Sequence, residues 1–250
     1  MYCSKCGTQL PDNTVACINC GARIVRRSYF KITSITLSIL VVLIVAGFFA
    51  NRQIKISALN SKLEEVVGKD AGYTETIIKV EAESSSMSYK ELFDLCEKSI
   101  EERTNLIIEL RGLYPDIDSK LRMKLIDFLN AENELIRKKN SFYRKQLSFT
   151  STFDLYKDHL SDPPTSSYGW DYFKQRAVKL QKEILEASSE MKEAATGFIS
   201  TYKTLVNQEA DVKKAMDDSG LRFVVFFQKY EQENLKRAED AKKLAENMKI

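Results

Sequence analysis

Histidine and tryptophan each occur once in 250 residues, as His159 and Trp170. A single histidine excludes a histidine-based metal centre and leaves any nucleophile–histidine pair one candidate. His159 falls beside the Pro163-Pro164 stretch and is not read as a general base. Glycine (9) and proline (4) are also scarce while 29% of residues are charged, which excludes turn-rich β architectures and predicts a mainly α chain of long helices. No glycine-rich phosphate loop, Walker pattern or G-x-S-x-G elbow is present. A basic domain is missing too. Residues 1–50 hold Lys5, Arg23, Arg26, Arg27 and Lys31 against Asp12, and the other 200 residues are close to neutral, so nucleic acid is not indicated as a partner.

The most telling absence is local. Ile32–Ala50 contains no charge at all. As a helix at about 1.5 Å per residue this run spans roughly 28 Å, close to the thickness of a bilayer's hydrocarbon core. Lys31 and Arg52 bracket it, and Tyr29, Phe30, Phe48 and Phe49 stand where interfacial aromatics collect. A cleaved signal peptide fits poorly, because a cysteine-rich head precedes the run and a bulky Phe stands where a small residue is needed for cleavage. The run is read as an uncleaved anchor over 28–51, with the lipid bilayer as its partner. Thr33, Ser34, Thr36 and Ser38 are spaced for helix contact and admit self-association into a homo-oligomer.

Four of the five cysteines lie within the first 20 residues. Cys3, Cys6, Cys17 and Cys20 form two Cys-x-x-Cys pairs, each followed by glycine (Gly7 and Gly21). That spacing suits a tetrahedral zinc–thiolate site in which each pair makes one knuckle and supplies two ligands. Glycine lets the chain turn sharply after the second ligand. Pro11-Asp12-Asn13 supplies the turn between the halves, and Leu10, Val15 and Ile24 are too few to fold the head over 1–27 without metal. With four protein ligands the zinc has no open position and is structural. Two disulfides are the competing account. Metal thiolates need a reducing compartment, so the head favours the cytoplasm, in agreement with Arg23, Arg26 and Arg27 before the anchor.

Cys3-x-x-Cys6-Gly7 and Cys17-x-x-Cys20-Gly21, followed by a basic stretch and an anchor, resemble the zinc-ribbon single-pass envelope proteins of bacteria, a group that includes the teicoplanin-resistance-associated protein. The resemblance covers about the first 50 residues. It implies a bacterial inner-membrane location and says nothing about activity.

Beyond the anchor, 52–87 reads as a stalk and linker. Its helix stops at Gly68 and Gly72, Tyr73–Val80 is a short extended piece, and 81–87 is polar. An elongated antiparallel bundle or coiled coil follows over 88–250. Ser88 and Glu91 form a capping box for a helix to about Gly112, and Asp116 caps the next, which reaches His159 with a break around 148–152. Trp170, Phe173, Ala177, Leu180, Ile184, Ala187, Met191, Ala194, Phe198, Thr201 and Leu205 alternate steps of three and four, continued by Val212 and Ala215. A last helix starts at Leu221. Four helices follow, with the turns at Pro115 and Gly220 at one end and the Pro163-Pro164 hairpin protruding at the other. That tip is aromatic (Tyr156, Tyr168, Trp170, Tyr172, Phe173). It is read either as the start and cap of the core or as a contact surface. Cys96 is read as core packing, and the many carboxylates, alternating with Lys and Arg, as solvated helix faces.

The sequence thus points to an anchored binding protein with an extracytoplasmic helical domain and a protein partner, acting as sensor, scaffold or assembly factor. A membrane effector working by oligomerisation is the alternative. An enzyme with an unrecognised site in the bundle is a remoter one, for which a polar cleft would speak.

Overall fold

The structure, a computed structural model, describes residues 2–12, 14–24, 29–82 and 89–248, and over 29–37 the backbone alone. Asn13, Arg26, Arg27, the Ser88 cap, most of the 81–87 linker and the side chains of Tyr29, Phe30, Lys31, Thr33, Ser34 and Thr36 therefore lie outside the described residues. The chain divides into two compact units, Met1–Ile54 and Lys55–Ile250. Among the described residues five helices follow the cysteine head: α1 (Tyr29–Ala82), α2 (Tyr89–Gly112), α3 (Lys120–Ser161), α4 (Ser167–Asp218) and α5 (Gln228–Asn247). Among the described residues there is no strand, and only the isolated bridges Tyr2–Gln9 and Ala16–Arg23 pair extended backbone.

In the second unit the helices run alternately up and down, with α1, α3 and α5 parallel. Lys62 and Asp70 of α1 meet Glu109 and Arg103 of α2, which runs the other way. Lys139 and Tyr143 of α3 meet Glu231 and Asn234 of α5 in the same direction. Antiparallel α3 and α4 make the longest interface. Its centre is Phe142 stacked on Phe198, ring centroids 6.3 Å apart, and both rings are fully buried.

Expectations in four parts of the bundle need correction, and so does one at the hairpin end. Gly68 and Gly72 do not end α1, and Tyr73–Val80 is helical. A Cβ at either glycine would meet nothing within 4 Å, so both lie on the open side. Leu63, Val66, Val67 and Ile77 are buried on the other side, and this packing outweighs the cost of about 1 kcal/mol that each glycine carries. The bundle consequently has five helices rather than four. Second, α3 runs unbroken through 148–152 and its cap is Ser119, whose hydroxyl accepts the Arg122 N–H at 3.1 Å. Asp116 instead pairs with Lys55 at 2.7 Å. The Arg122 guanidinium donates to the carbonyls of Leu113, Tyr114 and Ile117 and so stitches the α2–α3 turn.

Third, the α4 seam slips by one residue. Beyond Met191 the buried positions are Ala195, Phe198, Tyr202, Leu205, Glu209, Val212 and Met216, not Ala194, Thr201 and Ala215. A straight helix of 3.6 residues per turn drifts against a strict seven-residue repeat, and the packed face follows the helix. Fourth, residues 221–227 are not helical, and α5 starts only at Gln228. The preceding stop is a Schellman motif: the Leu221 N–H reaches the Met216 carbonyl at 2.9 Å and the Gly220 N–H that of Asp217 at 3.0 Å, with Gly220 at φ +70°. Gly220→Ala is expected to destabilise the unit by about 1–2 kcal/mol, the left-handed penalty of an L side chain, read from its urea midpoint.

On α3 no residue beyond Phe149 is fully buried, and on α4 none before Leu180. The end of this hairpin carries Tyr168 (89% exposed), Tyr172 and Val178 in the open, with Trp170 42% exposed. Trp170 therefore does not begin the core. It packs edge-on to Phe173, which stacks on His159 with centroids 4.3 Å apart.

Candidate metal centre

Each cysteine pair sits in the same backbone loop. The Gly7 N–H donates to the Cys3 carbonyl at 2.9 Å and the Gly21 N–H to that of Cys17 at 2.8 Å. The Cys3 N–H reaches Thr8 and the Cys17 N–H reaches Ala22, both at 2.9 Å. Both glycines adopt the left-handed region, at φ +72° and +64°, where a side chain would strain the turn. The duplication read from the sequence is therefore a duplicated fold. Its interior is Cys3, Leu10 and Cys17, flanked by Ala22 and Ile24, whereas Val15 is exposed.

The two loops bring their sulfurs together. All four Sγ atoms lie within 4.8 Å of one another. Across the pairs, Cys3–Cys20 is 3.7 Å and Cys6–Cys17 is 3.5 Å. A tetrahedral zinc with Zn–S bonds of about 2.3 Å places its sulfurs roughly 3.8 Å apart, so the four thiols fit the ion. Disulfides need an S–S distance of about 2.05 Å, and all five cysteines are free. Electrostatics agree with the fit. The Thr8 hydroxyl and the Thr8 N–H bring the Cys6 thiol down to about 6, and the N–H groups of Lys5 and Cys6 lower Cys3. Cys20 goes the other way: the Ala22 N–H pulls it down, but the sulfurs of Cys6, Cys17 and Cys3 push it up to about 12. Four thiolates this close need a cation among them. Zinc bound there would have four protein sulfurs and no open position, so its contribution is to folding and not to substrate activation.

The helical unit holds a second concentration of chemistry that the sequence reading took for solvated faces. Arg103 of α2 is fully buried. It pairs with Asp70 and donates to the hydroxyls of Ser99 at 2.8 Å and Thr74 at 2.7 Å, with Glu132 at 3.4 Å. Burial, and then the facing Asp70, push the Glu132 carboxyl well above its ordinary range despite Arg103. One helical layer along, Lys139 lies between Glu81 at 3.1 Å and Glu231 at 3.4 Å. Burial opposes its charge, but Glu231 and Glu81 outweigh burial and hold the lysine charged. Four carboxyls thus face two cations in the interior. The space between the two layers is about 20 Å³, enough for one water and not for a substrate. Cys96 sits beside them with Ile77, Leu92, Ile100 and Ile136, and burial raises its thiol to about 11, which suits a packing role.

Residues 2–24 match the zinc-ribbon domain family, a region that holds all four cysteines and stops short of α1. No curated protein and no solved structure matches the chain.

Proposed function

We propose that this chain is a membrane-anchored binding protein of the bacterial envelope, with its zinc ribbon in the cytoplasm and its helical unit outside the cell membrane. The observation that supports the anchor is exposure. Every residue from Ser38 to Ala50 is open, including Leu40, Val41, Val42, Leu43, Ile44, Phe48 and Phe49. At about 25 cal/mol per Å² of apolar surface, so continuous a stripe demands a cover, and a bilayer supplies one. α1 is long and apolar enough to cross it. The orientation rests on thiolate ligands that need a reducing compartment and on Arg23, Arg26 and Arg27 before the span.

The chain is expected to stay in the membrane pellet after alkaline carbonate extraction. External protease on spheroplasts should degrade the helical unit and spare the ribbon. Recovery in the supernatant, or the reverse protection, would falsify the reading.

A cleft of about 330 Å³ lined by Glu81, Tyr143, Tyr230 and Arg237 opens beside the buried charges, and binding is favoured over catalysis because Arg103 and Lys139 are each held between carboxyls of the interior. The exposed end of the α3–α4 hairpin is the surface we assign to a protein partner. Photocrosslinking from position 172 should trap that protein, and Tyr168→Ala should abolish the adduct without moving the unfolding midpoint. An adduct that survives the substitution would remove the tip from the account.

A further inference from the structure

The face that α5 turns inward is unlike that of any other helix in the unit. Its buried residues are Glu231, Asn234, Ala238 and Ala241, two polar side chains and two methyl groups. Its docking is correspondingly polar. Glu231 faces Lys139 at 3.4 Å, Tyr143 donates to Asn234 at 2.6 Å, and Gln228 donates to Glu209 at 3.3 Å. Glu231 Oε2 and Asn234 Nδ2 are buried without a hydrogen-bond partner among the described residues. The N-terminus of α5 has no side-chain cap. The irregular residues 221–227 lead into it, and among the described residues the backbone from Phe223 to Phe226 makes no hydrogen bond. Little apolar burial and few backbone bonds mark the element with the lowest local stability.

We propose that α5 is a latch held closed by a proton: it stays docked on α3 and α4 while the carboxyl of Glu231 is neutral, and swings away on the 221–227 strap once that carboxyl ionises beside Glu81. The charges decide the direction. Around Glu231 and the groups it touches stand Glu81 from α1, Arg103 and Cys96 from α2, Glu132, Lys139 and Tyr143 from α3, Tyr202 and Glu209 from α4, and on α5 itself Tyr230 and Arg237, with Arg103 already paired with Asp70. Lys139 neutralises one carboxylate. The second brings a net negative charge into a dry interior, unless α5 leaves and exposes it to water. Burial, with Glu81 adding to it against Lys139, raises the Glu231 carboxyl above its ordinary value. The closed state therefore binds a proton that the open state releases. Closure is complete below the ordinary carboxyl range and weakens as pH rises through the raised value.

The test uses the full chain in detergent micelles, with spin labels on ketone side chains so that the cysteines stay untouched. One pair replaces Lys192 and Glu246, an exposed α4–α5 ion pair at 3.7 Å, and a control pair replaces Lys145 and Glu190 across α3–α4. From pH 5 to pH 9 the α4–α5 pair should gain a long-distance population by up to tenfold per pH unit, while the control stays short. Glu231→Gln should keep α5 docked throughout. So should Glu81→Gln, a second variant that leaves Lys139 balanced by Glu231. The proposal is overturned if the α4–α5 distances do not change with pH, if both pairs lengthen together, or if Glu231→Gln opens as the unmodified chain does.

Discussion

Replacing Arg103 with methionine is expected to destabilise the helical unit by about 3–5 kcal/mol at neutral pH, the usual cost of removing one partner from a buried ion pair. Methionine fills most of the same space, so the loss is electrostatic. Asp70 and Glu132 are left facing each other in a dry interior, and the hydroxyls of Ser99 and Thr74 lose their donor. The pH dependence identifies the cause. In the unmodified chain Glu132 already binds its proton more tightly folded than unfolded, because burial and Asp70 raise its carboxyl above the ordinary value. That stabilisation is complete below the ordinary carboxyl range and is lost as pH rises through the folded value. Without Arg103 the Glu132 carboxyl climbs further, so the deficit should shrink as pH falls toward about 5 and Glu132 protonates. Adding Asp70→Asn and Glu132→Gln should recover most of the loss at pH 7. Urea midpoints at the two pH values decide it, and an equal deficit at both would show that Arg103 acts through packing alone. Lys98→Ala removes an exposed i,i+4 pair at 3.9 Å and should stay within about 0.5 kcal/mol.

The parts of this molecule that could be read in advance are those whose cause is local in the chain. Two Cys-x-x-Cys-Gly repeats fix their own loops, and an uncharged run of nineteen residues has few uses. What stayed hidden depends on which side of a helix the rest of the chain covers. Gly68 and Gly72 look like stops until Leu63, Val66 and Ile77 are seen packed on the opposite face. The run Leu221-Arg-Phe-Val-Val-Phe-Phe227 looks like a helix start, yet its aromatics are used one by one, Phe223 edge-on to Phe128 and Phe227 buried. The buried charges did leave a trace that composition obscured. Cys96, Ile100, Arg103, Ile107 and Leu110 step by four and three, and so do Phe128, Glu132, Leu135, Lys139 and Phe142. A charge on the core stripe is a buried charge. Glu209 between Leu205 and Val212 obeys the same rule, as does Glu231 ahead of Asn234, Ala238 and Ala241.

The head should respond most strongly of all, because almost nothing but metal holds it. Its largest enclosed hydrophobe is Leu10, 3% exposed, worth about 1.5–3 kcal/mol of burial. Hydrogen bonds such as Cys3 to Thr8 and Ile24 to Val15 add little to that, whereas a structural zinc site contributes about 10–16 kcal/mol of folding free energy. Chelation, or Cys17→Ser at a sulfur 3.5 Å from Cys6, is therefore expected to unfold residues 2–24 completely. The amides of Cys3, Gly7, Cys17 and Gly21 should then exchange at unstructured rates, and one zinc per chain should appear in the chelate. Acid should act in the same direction, since a thiol must be deprotonated to hold metal and protons compete with zinc for the four sulfurs. The helical unit is a separate compact body and should keep its urea midpoint throughout. A thiol reductant distinguishes the remaining rival, because it breaks disulfides and leaves a zinc thiolate intact. Protected amides in the metal-free head, or a head unfolded by reductant alone, would mean that something other than a metal ion ties these loops together.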